Sequence, residues 1–319
     1  MTKLDVAEPS VAQYLNPITR YFVATRPAFL LATLFAYFLG LVGAVYSGVH
    51  FQTETAMLGL LLALLVHAAV NVLNDYFDAM NGADAQNTER LYPYSGGSRF
   101  IQNGVLTIQQ TAIFGYLLLF MAILGGLYLS WLVGAGLIAI GAVGVFVGWA
   151  YSATPLRLNS RGLGELCVAV GFIGITIGAD FVQRHSFSMQ PLIIGMPYAL
   201  LVTNLLYINQ FPDRKADALA GKDHLVVRLP MAYAVLIYPV LVVLAFFWLI
   251  FFVYIKALPI LALLSALPLF FSVRASWLLH QLHQFSLKPA QLLSAIKLTL
   301  VAMLSHALSL AIVMLWEMQ

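Results

Sequence analysis

The chain is expected to be all-α, a polytopic membrane protein with nine transmembrane helices, a cytosolic N-terminus and a site opening on the cytosolic face. Three observations predict this. Of its 319 residues 61% are hydrophobic and only 9% charged, where a soluble domain carries about a quarter charged residues. The apolar residues gather into nine runs, each near the ~20 residues that cross ~30 Å of hydrocarbon. The basic residues concentrate on alternate connections, as the positive-inside rule requires.

The first 27 residues carry Asp5, Glu8, Pro9 and Pro17 before any apolar run, a pattern unlike a cleavable signal peptide. Residues 1–27 are therefore expected to form a cytosolic arm and residues 28–319 one membrane domain. The runs lie near 28–46, 56–76, 111–129, 131–151, 163–182, 191–211, 231–253, 257–274 and 291–316. With the N-terminus inside, Arg90, Arg99, Arg157, Arg161, Arg214, Lys215, Lys222, Arg228, Arg274 and Lys288 join Arg20 and Arg26 on the cytosolic side. Only Arg184 and Lys256 fall clearly in the opposite loops. The one cysteine, Cys167, sits inside the fifth run. It excludes an intramolecular disulfide, argues against a thiolate metal site, and reads as a small buried residue.

Two cytosolic connections, 77–110 and 212–230, are long, polar and charged, and long ordered loops are commonly functional. Each follows an even-numbered span and opens on an acidic cluster, which suggests a weak internal repeat. The first cluster is VNVLNDYFDAMNGAD (70–84). Helical spacing places Asn71, Asn74, Asp75 and Asp78 on one polar stripe, with His67 a turn deeper. Such a stripe is costly at membrane depth unless it lines a wet cavity or is paired. Gly82 allows the chain to turn and return Asp84 toward the same place. In the second cluster Asn209, Asp213 and Asp217 stand at i, i+4 and i+8, and Pro212 is expected to kink or end the helix there.

Carboxylate and amide oxygens without His or Cys suit Mg²⁺ better than zinc. Magnesium takes few carboxylates and completes its shell with phosphate, so two Asp clusters suggest Mg²⁺ bridging to a diphosphate. Nearby cations fit: Arg99 in YSGGSRF, Arg157 and Arg161 in YSATPLRLNSRGLGE, and Lys222 in ALAGKDHLVVR. Arginine suits bidentate phosphate contacts. Taken singly, these arginines are also what membrane orientation demands, and Glu165 reads as offsetting Arg161 or favouring a helix N-terminus. No Walker-type loop occurs.

NDYFDAMNGAD followed by SGGSR, YSATPLRLNSRGLGE and NQFPDRKADALAGKDHLVVRL resembles the UbiA-type intramembrane prenyltransferases, from about residue 20 to the C-terminus. The resemblance implies nine transmembrane helices, with an NDxxD motif after the second and a DxxxD motif after the sixth. Asn74, Asp75 and Asp78 match the first motif, Asp84 the aspartate that follows it, and Asp213 and Asp217 the second. Lys222 matches the lysine of AGK, Tyr151 the tyrosine at the end of the fourth helix, and Arg157 the cation beyond it. In the family these residues bind Mg²⁺ and the prenyl diphosphate, and the lipid tail lies between helices. Asn71, Arg99, Arg161 and Asn209 join them here as substrate-binding candidates.

The spacing NDYxD…GxD, the RGLGE segment and DRKADALAGKDHLVVRL look most like the menaquinone-pathway branch, which prenylates 1,4-dihydroxy-2-naphthoate. That implies Mg²⁺ as cofactor, a polyprenyl diphosphate and an aromatic acceptor as substrates, and residence in the cytoplasmic (inner) membrane. NQFPD stands where that branch often has NxxRD, leaving 4-hydroxybenzoate or a related acceptor open. Nothing in the sequence points to a nucleic acid or a protein partner. An ion or small-anion transporter is the alternative of another class, since intramembrane Asp and Asn also mark ion pathways. Transporter sites lie near the bilayer midplane, whereas these acid clusters stand at helix ends.

Overall fold

The computed structural model describes residues 7–285 and 292–318; Asp5 and Lys288 lie outside them. The described residues form helices and no strand. The long ones are α1 Pro27–Tyr46, α2 Thr53–Asn81, α3 Ile108–Val133, α4 Gly136–Ser152, α5 Gly164–Arg184, α6 Gln190–Leu219, α7 Met231–Tyr254, α8 Leu269–Phe285 and α9 Leu293–Trp316. Each apolar run thus has a helical counterpart. Eight segments are long and apolar enough to cross a membrane, the eighth run being the 3₁₀ stretch Ile260–Ala266 leading into α8. The shorter α4 has 17 residues, about 26 Å at 1.5 Å per residue.

Local chemistry sets the ends. Pro27 opens α1 at a position where a helix needs no N–H. Thr107 and Gln110 close a reciprocal capping box on α3. Gly82 ends α2 in the left-handed region at φ 80°, which only a residue without Cβ adopts cheaply.

Two expectations about helix ends are corrected. Residues 77–81 and 212–219 read as connections, yet α2 and α6 run through them. Pro212 does not end α6, because the turns beyond it are tied to the returning chain. Lys222 N donates to the Asp217 carbonyl at 2.8 Å, and Arg214 Nη2 to the Leu229 carbonyl at 3.0 Å. These contacts outweigh one lost helical hydrogen bond.

Helices α1 and α5 are central. Helix α1 packs on α2, α5, α6 and α9, while α5 touches α1, α2, α3, α4 and α6. Helices α2 to α4 pack on one side of this pair, and α6 to α9 enclose the largest core on the other. In that core Tyr198, Tyr207 and Tyr238 are fully buried. Their hydroxyls pair with the Ala32 carbonyl (3.0 Å), the Ala234 carbonyl (2.7 Å) and Thr299 (2.7 Å), as buried phenols require. The outer surface carries exposed Ile113, Trp131 and Phe247, apolar faces suited to lipid.

Hydrogen bonds identify the two ends of the bundle. At one, Gln52 N meets Gln183 Oε1 at 2.7 Å; at the other, Asp223 N meets the Ser160 carbonyl at 3.1 Å. The second end carries Arg26, Arg90, Arg99, Arg157, Arg161, Arg214, Lys215, Lys222 and Arg228 on its connections and helix ends, and both acid clusters lie there.

Candidate active site

Helices α2 and α6 bring the two acid clusters to one mouth, and Lys222 stands between them. Its Nζ is 3.0 Å from Asp78 Oδ2 and 3.4 Å from Asp217 Oδ1. Burial alone would pull its pKa down, but Asp78 and Asp217 push it well above the ordinary lysine value, so the ammonium stays charged. Asp217 also holds His224 Nε2 at 3.0 Å. Asn74 Nδ2 donates to Asp78 Oδ2 (3.1 Å) and to Ser152 Oγ on α4 (3.0 Å).

The Ser-Gly-Gly-Ser loop folds back over both clusters and donates backbone N–H groups to them. Ser98 N reaches Asp75 Oδ1 and Gly96 N reaches Asp213 Oδ2, each at 3.2 Å. Asn87 Nδ2 adds a 2.6 Å bond to Asp213 Oδ1, and the Arg26 guanidinium pairs with Asp75. Gly97 has φ 75°, and a Cβ there would overlap the Asp84 carboxylate. Burial, then the charges of Asp78 and Asp75, push the Asp84 carboxyl up to about 8. Crowded carboxylates of this kind are stabilised when a cation arrives among them. Gly97→Ala is accordingly expected to displace Asp84 and lower the activity of the site by about a hundredfold, a loss that misplacing a site group by ~1 Å can cause. Gly104→Ala, whose φ is 69° but whose Cβ meets open space, is the control. Equal activities of the two variants in the same membranes would show that the contact with Asp84 does not matter.

A cavity of about 630 Å³ runs inward from this mouth. Asn71, Asn74, Asp78, Asp84, Tyr151, Asn209, Asp213, Asp217 and Lys222 line it. The expected single stripe on α2 is thus divided: Asn71, Asn74 and Asp78 face the cavity, while Asp75 turns toward Arg26 and the loop. Of the three expected phosphate-facing arginines, none lines the cavity, and two are engaged elsewhere. Arg99 is buried and donates to the Asp84 carbonyl. Exposed Arg161 donates to the Pro155 carbonyl at 2.8 Å. Arg157, in the left-handed region at φ 44°, does not line the cavity. Deeper down the lining turns apolar, through Val70, Leu62, Ile140 and Ile175 to Leu129, Leu137 and Val182 near the opposite end. His67 lines it too, bonded to Thr33 Oγ1 at 2.7 Å, and Cys167 joins the wall.

The donors at the mouth fit a hard cation. Besides the carboxylates, the buried oxygens Asn87 Oδ1, Asn209 Oδ1 and Gln210 Oε1 have no hydrogen-bond partner, and all three residues line the cavity. Among the described residues no three His, Cys, Asp or Glu side chains form a ready-made metal site. Mg²⁺ does not need one, since one or two carboxylates suffice when water and phosphate supply the rest.

Arg26, Asn87 and His224 touch the acid clusters without having been singled out from the sequence. Arg26 had a signal: it immediately precedes Pro27, and its φ of 56° turns the chain from the short helix Pro17–Ala24 into α1. Asn87 and His224 had none beyond their proximity to the motifs.

A family model described as the UbiA prenyltransferase family matches residues 29–301. The 1,4-dihydroxy-2-naphthoate octaprenyltransferase of Bacillus subtilis is 29% identical over 235 residues, 71% of this chain and 71% of that protein. The 2-carboxy-1,4-naphthoquinone phytyltransferase of Synechocystis is 26% identical over 233 residues, 72% of this chain and 71% of that protein. A solved UbiA homolog from Archaeoglobus fulgidus bound to DMAPP and Mg²⁺ shares the fold at a TM-score of 0.63 and 15% identity, covering 92% of this chain and 99% of that one. The two aspartate motifs, the helical bundle and the matched residues lead to one conclusion: this chain belongs to the UbiA prenyltransferase family and is a membrane-bound prenyltransferase.

Proposed function

We propose that the protein transfers a polyprenyl group from polyprenyl diphosphate to 1,4-dihydroxy-2-naphthoate, with Mg²⁺ as cofactor, at the cytosolic face of the inner membrane. The observation that carries this is the convergence of Asp78, Asp84, Asp213, Asp217 and Lys222 on the mouth of a cavity whose depth is apolar. A charged diphosphate with a long hydrocarbon tail has that same division. The naphthoate acceptor is supported by the naphthoate-prenylating relatives. The cytosolic orientation is supported by the basic residues at the acid-cluster end.

In this reading Asp78, Asp84, Asp213 and Asp217 hold Mg²⁺, with the amide oxygens of Asn87 and Asn209 beside them, and Asp75 is fixed by Arg26 and Ser98 N–H. Bound Mg²⁺ supplies charge neutralisation for the departing diphosphate. Lys222, and Arg26 at the cavity wall, add positive charge on the protein side. Arg99 and Arg161 support the loops from behind, through the Asp84 and Pro155 carbonyls. The apolar wall keeps water from the allylic cation left on the tail. The acceptor's ring carbon attacks this cation, and in the naphthoate case the carboxylate leaves as CO₂.

The test supplies membranes containing the protein with Mg²⁺, a labelled prenyl diphosphate and, in parallel, 1,4-dihydroxy-2-naphthoate, 4-hydroxybenzoate and homogentisate. The expected outcome is a prenylated, decarboxylated naphthoate product, identified by mass, that vanishes in EDTA. Product from another acceptor alone would replace the acceptor assignment, and full activity in EDTA would remove the metal.

A further inference from the structure

We propose that Glu8, on the N-terminal arm, is a positioning residue for prenyl transfer that holds the 84–104 segment over both acid clusters through Arg90 and Arg99. The proposal rests on the functional reading above. Glu8 lies outside the cavity, and its carboxylate is the meeting point of two arginines. Oε1 accepts from Arg90 Nε at 2.7 Å and lies 2.6 Å from Arg90 Nη2. Oε2 accepts from Asn103 Nδ2 at 3.3 Å and faces Arg99 Nε at 3.7 Å.

Each arginine continues to a site segment. Arg90 Nη1 donates to the Asn87 carbonyl, and Asn87 Nδ2 donates to Asp213 Oδ1 at 2.6 Å. Arg99 Nη1 donates to the carbonyl of Asp84. One carboxylate therefore supports Asp213 on α6 through two links and Asp84 through one. The arm itself is fixed by Asn103 Nδ2 on the Pro9 carbonyl at 2.8 Å and by Tyr14 against Phe100, with ring centroids 5.1 Å apart.

The electrostatics require an anion at this point. Arg99 is buried, and Arg90 repels it. Without the Glu8 charge the two guanidinium groups have a reason to separate, and the chain between them carries Ser95, Gly96, Gly97 and Ser98 away from the acid groups. Breaking a partly buried charge pair by neutralising one partner leaves the other uncompensated. The consequence is a looser mouth, read as a weaker hold on cation and diphosphate rather than a change at the apolar end.

The experiment uses the full chain in detergent, wild type and Glu8→Gln, Arg90→Gln and the double variant. The first readout is amide exchange without metal or substrate. Glu8→Gln is expected to speed exchange across residues 87–104 at least tenfold while leaving α7 unchanged, the latter serving as the check on folding. The second is an Mg²⁺ titration of prenyl transfer from geranyl diphosphate to 1,4-dihydroxy-2-naphthoate. Half-saturation is expected to rise about tenfold in Glu8→Gln, with the acceptor KM unchanged. If Glu8 acts through Arg90, the double variant matches the more impaired single variant instead of multiplying the two losses. Unchanged loop exchange with unchanged Mg²⁺ half-saturation overturns the proposal while leaving the metal reading intact. A wild type that ignores Mg²⁺ overturns the metal reading first. Accelerated exchange over the whole chain, α7 included, overturns the positioning role in favour of a general structural one, and multiplying losses in the double variant overturn the route through Arg90. Glu8→Asp, which keeps the charge on a shorter arm, is expected to stay near the wild type in both readouts, and losses as large as those of Glu8→Gln overturn the part given to the charge.

Discussion

Asp213→Ala is expected to lower prenyl transfer at least about a thousandfold, roughly 4 kcal/mol of transition-state stabilisation at 1.36 kcal/mol per factor of ten. Asp213 lines the cavity and is held by Asn87 Nδ2 and Gly96 N–H, one on each carboxylate oxygen. The orphan amide oxygens of Asn87 and Asn209 line the same cavity. Loss of the carboxylate removes a hard oxygen donor and leaves the two protein donors unmatched. Asp213→Asn separates these effects. The amide retains an oxygen for Gly96 N–H but lacks the charge, so it is expected to be nearly as inactive as alanine. An asparagine variant with most of the wild-type rate would make Asp213 a loop anchor and not a metal ligand. Asp75→Ala is expected to reach the same loss by another route, by freeing Arg26 and the Ser98 amide. Each variant is compared by membrane yield and helical circular dichroism, so that lost folding is not counted as lost chemistry.

What the sequence made legible was what depends on local pattern. Apolar run length placed the long helices of the described residues, and helical spacing placed Asn209, Asp213 and Asp217 on the cavity lining. What it did not reveal depends on neighbours. Asn71 and Asp75 share a helical face to within the breadth that a four-residue spacing allows, yet Asp75 is drawn toward Arg26, 49 residues away in the chain. Asn87 matters only because α6 passes beside it. Pro212 was expected to break a helix whose far turns are retained by Leu229 and Lys222. The cations show the same limit: a positive charge at a membrane edge satisfies orientation and phosphate binding equally. Only the folded chain separates Lys222, at the mouth, from Arg161, on the Pro155 carbonyl.

Lys222→Met is expected to lower kcat/KM for the prenyl diphosphate by about a thousandfold, while the acceptor KM stays where it was. Lys222 is the cation shared by the two motifs, at 3.0 Å from Asp78 and 3.4 Å from Asp217. Methionine keeps most of the stem's volume but removes the one positive charge the two carboxylates share, leaving Asp217 to His224 and Asp78 to Asn74. Removing one partner of a buried pair costs about 3–5 kcal/mol, roughly two to four powers of ten where the lost interaction is made to the reacting group. The metal and the diphosphate respond in opposite directions. A more negative mouth attracts Mg²⁺ more strongly and the diphosphate less, so half-saturating Mg²⁺ falls while the diphosphate KM rises. Lys222→Arg preserves the charge, but its planar fork cannot reproduce the lysine's point contact with both carboxylates, and an intermediate loss is expected. Steady-state titrations of each substrate and of Mg²⁺ decide the matter. A diphosphate KM that does not move in Lys222→Met would leave the lysine as a spacer between Asp78 and Asp217, and the positive charge facing the diphosphate would then have to come from Arg26.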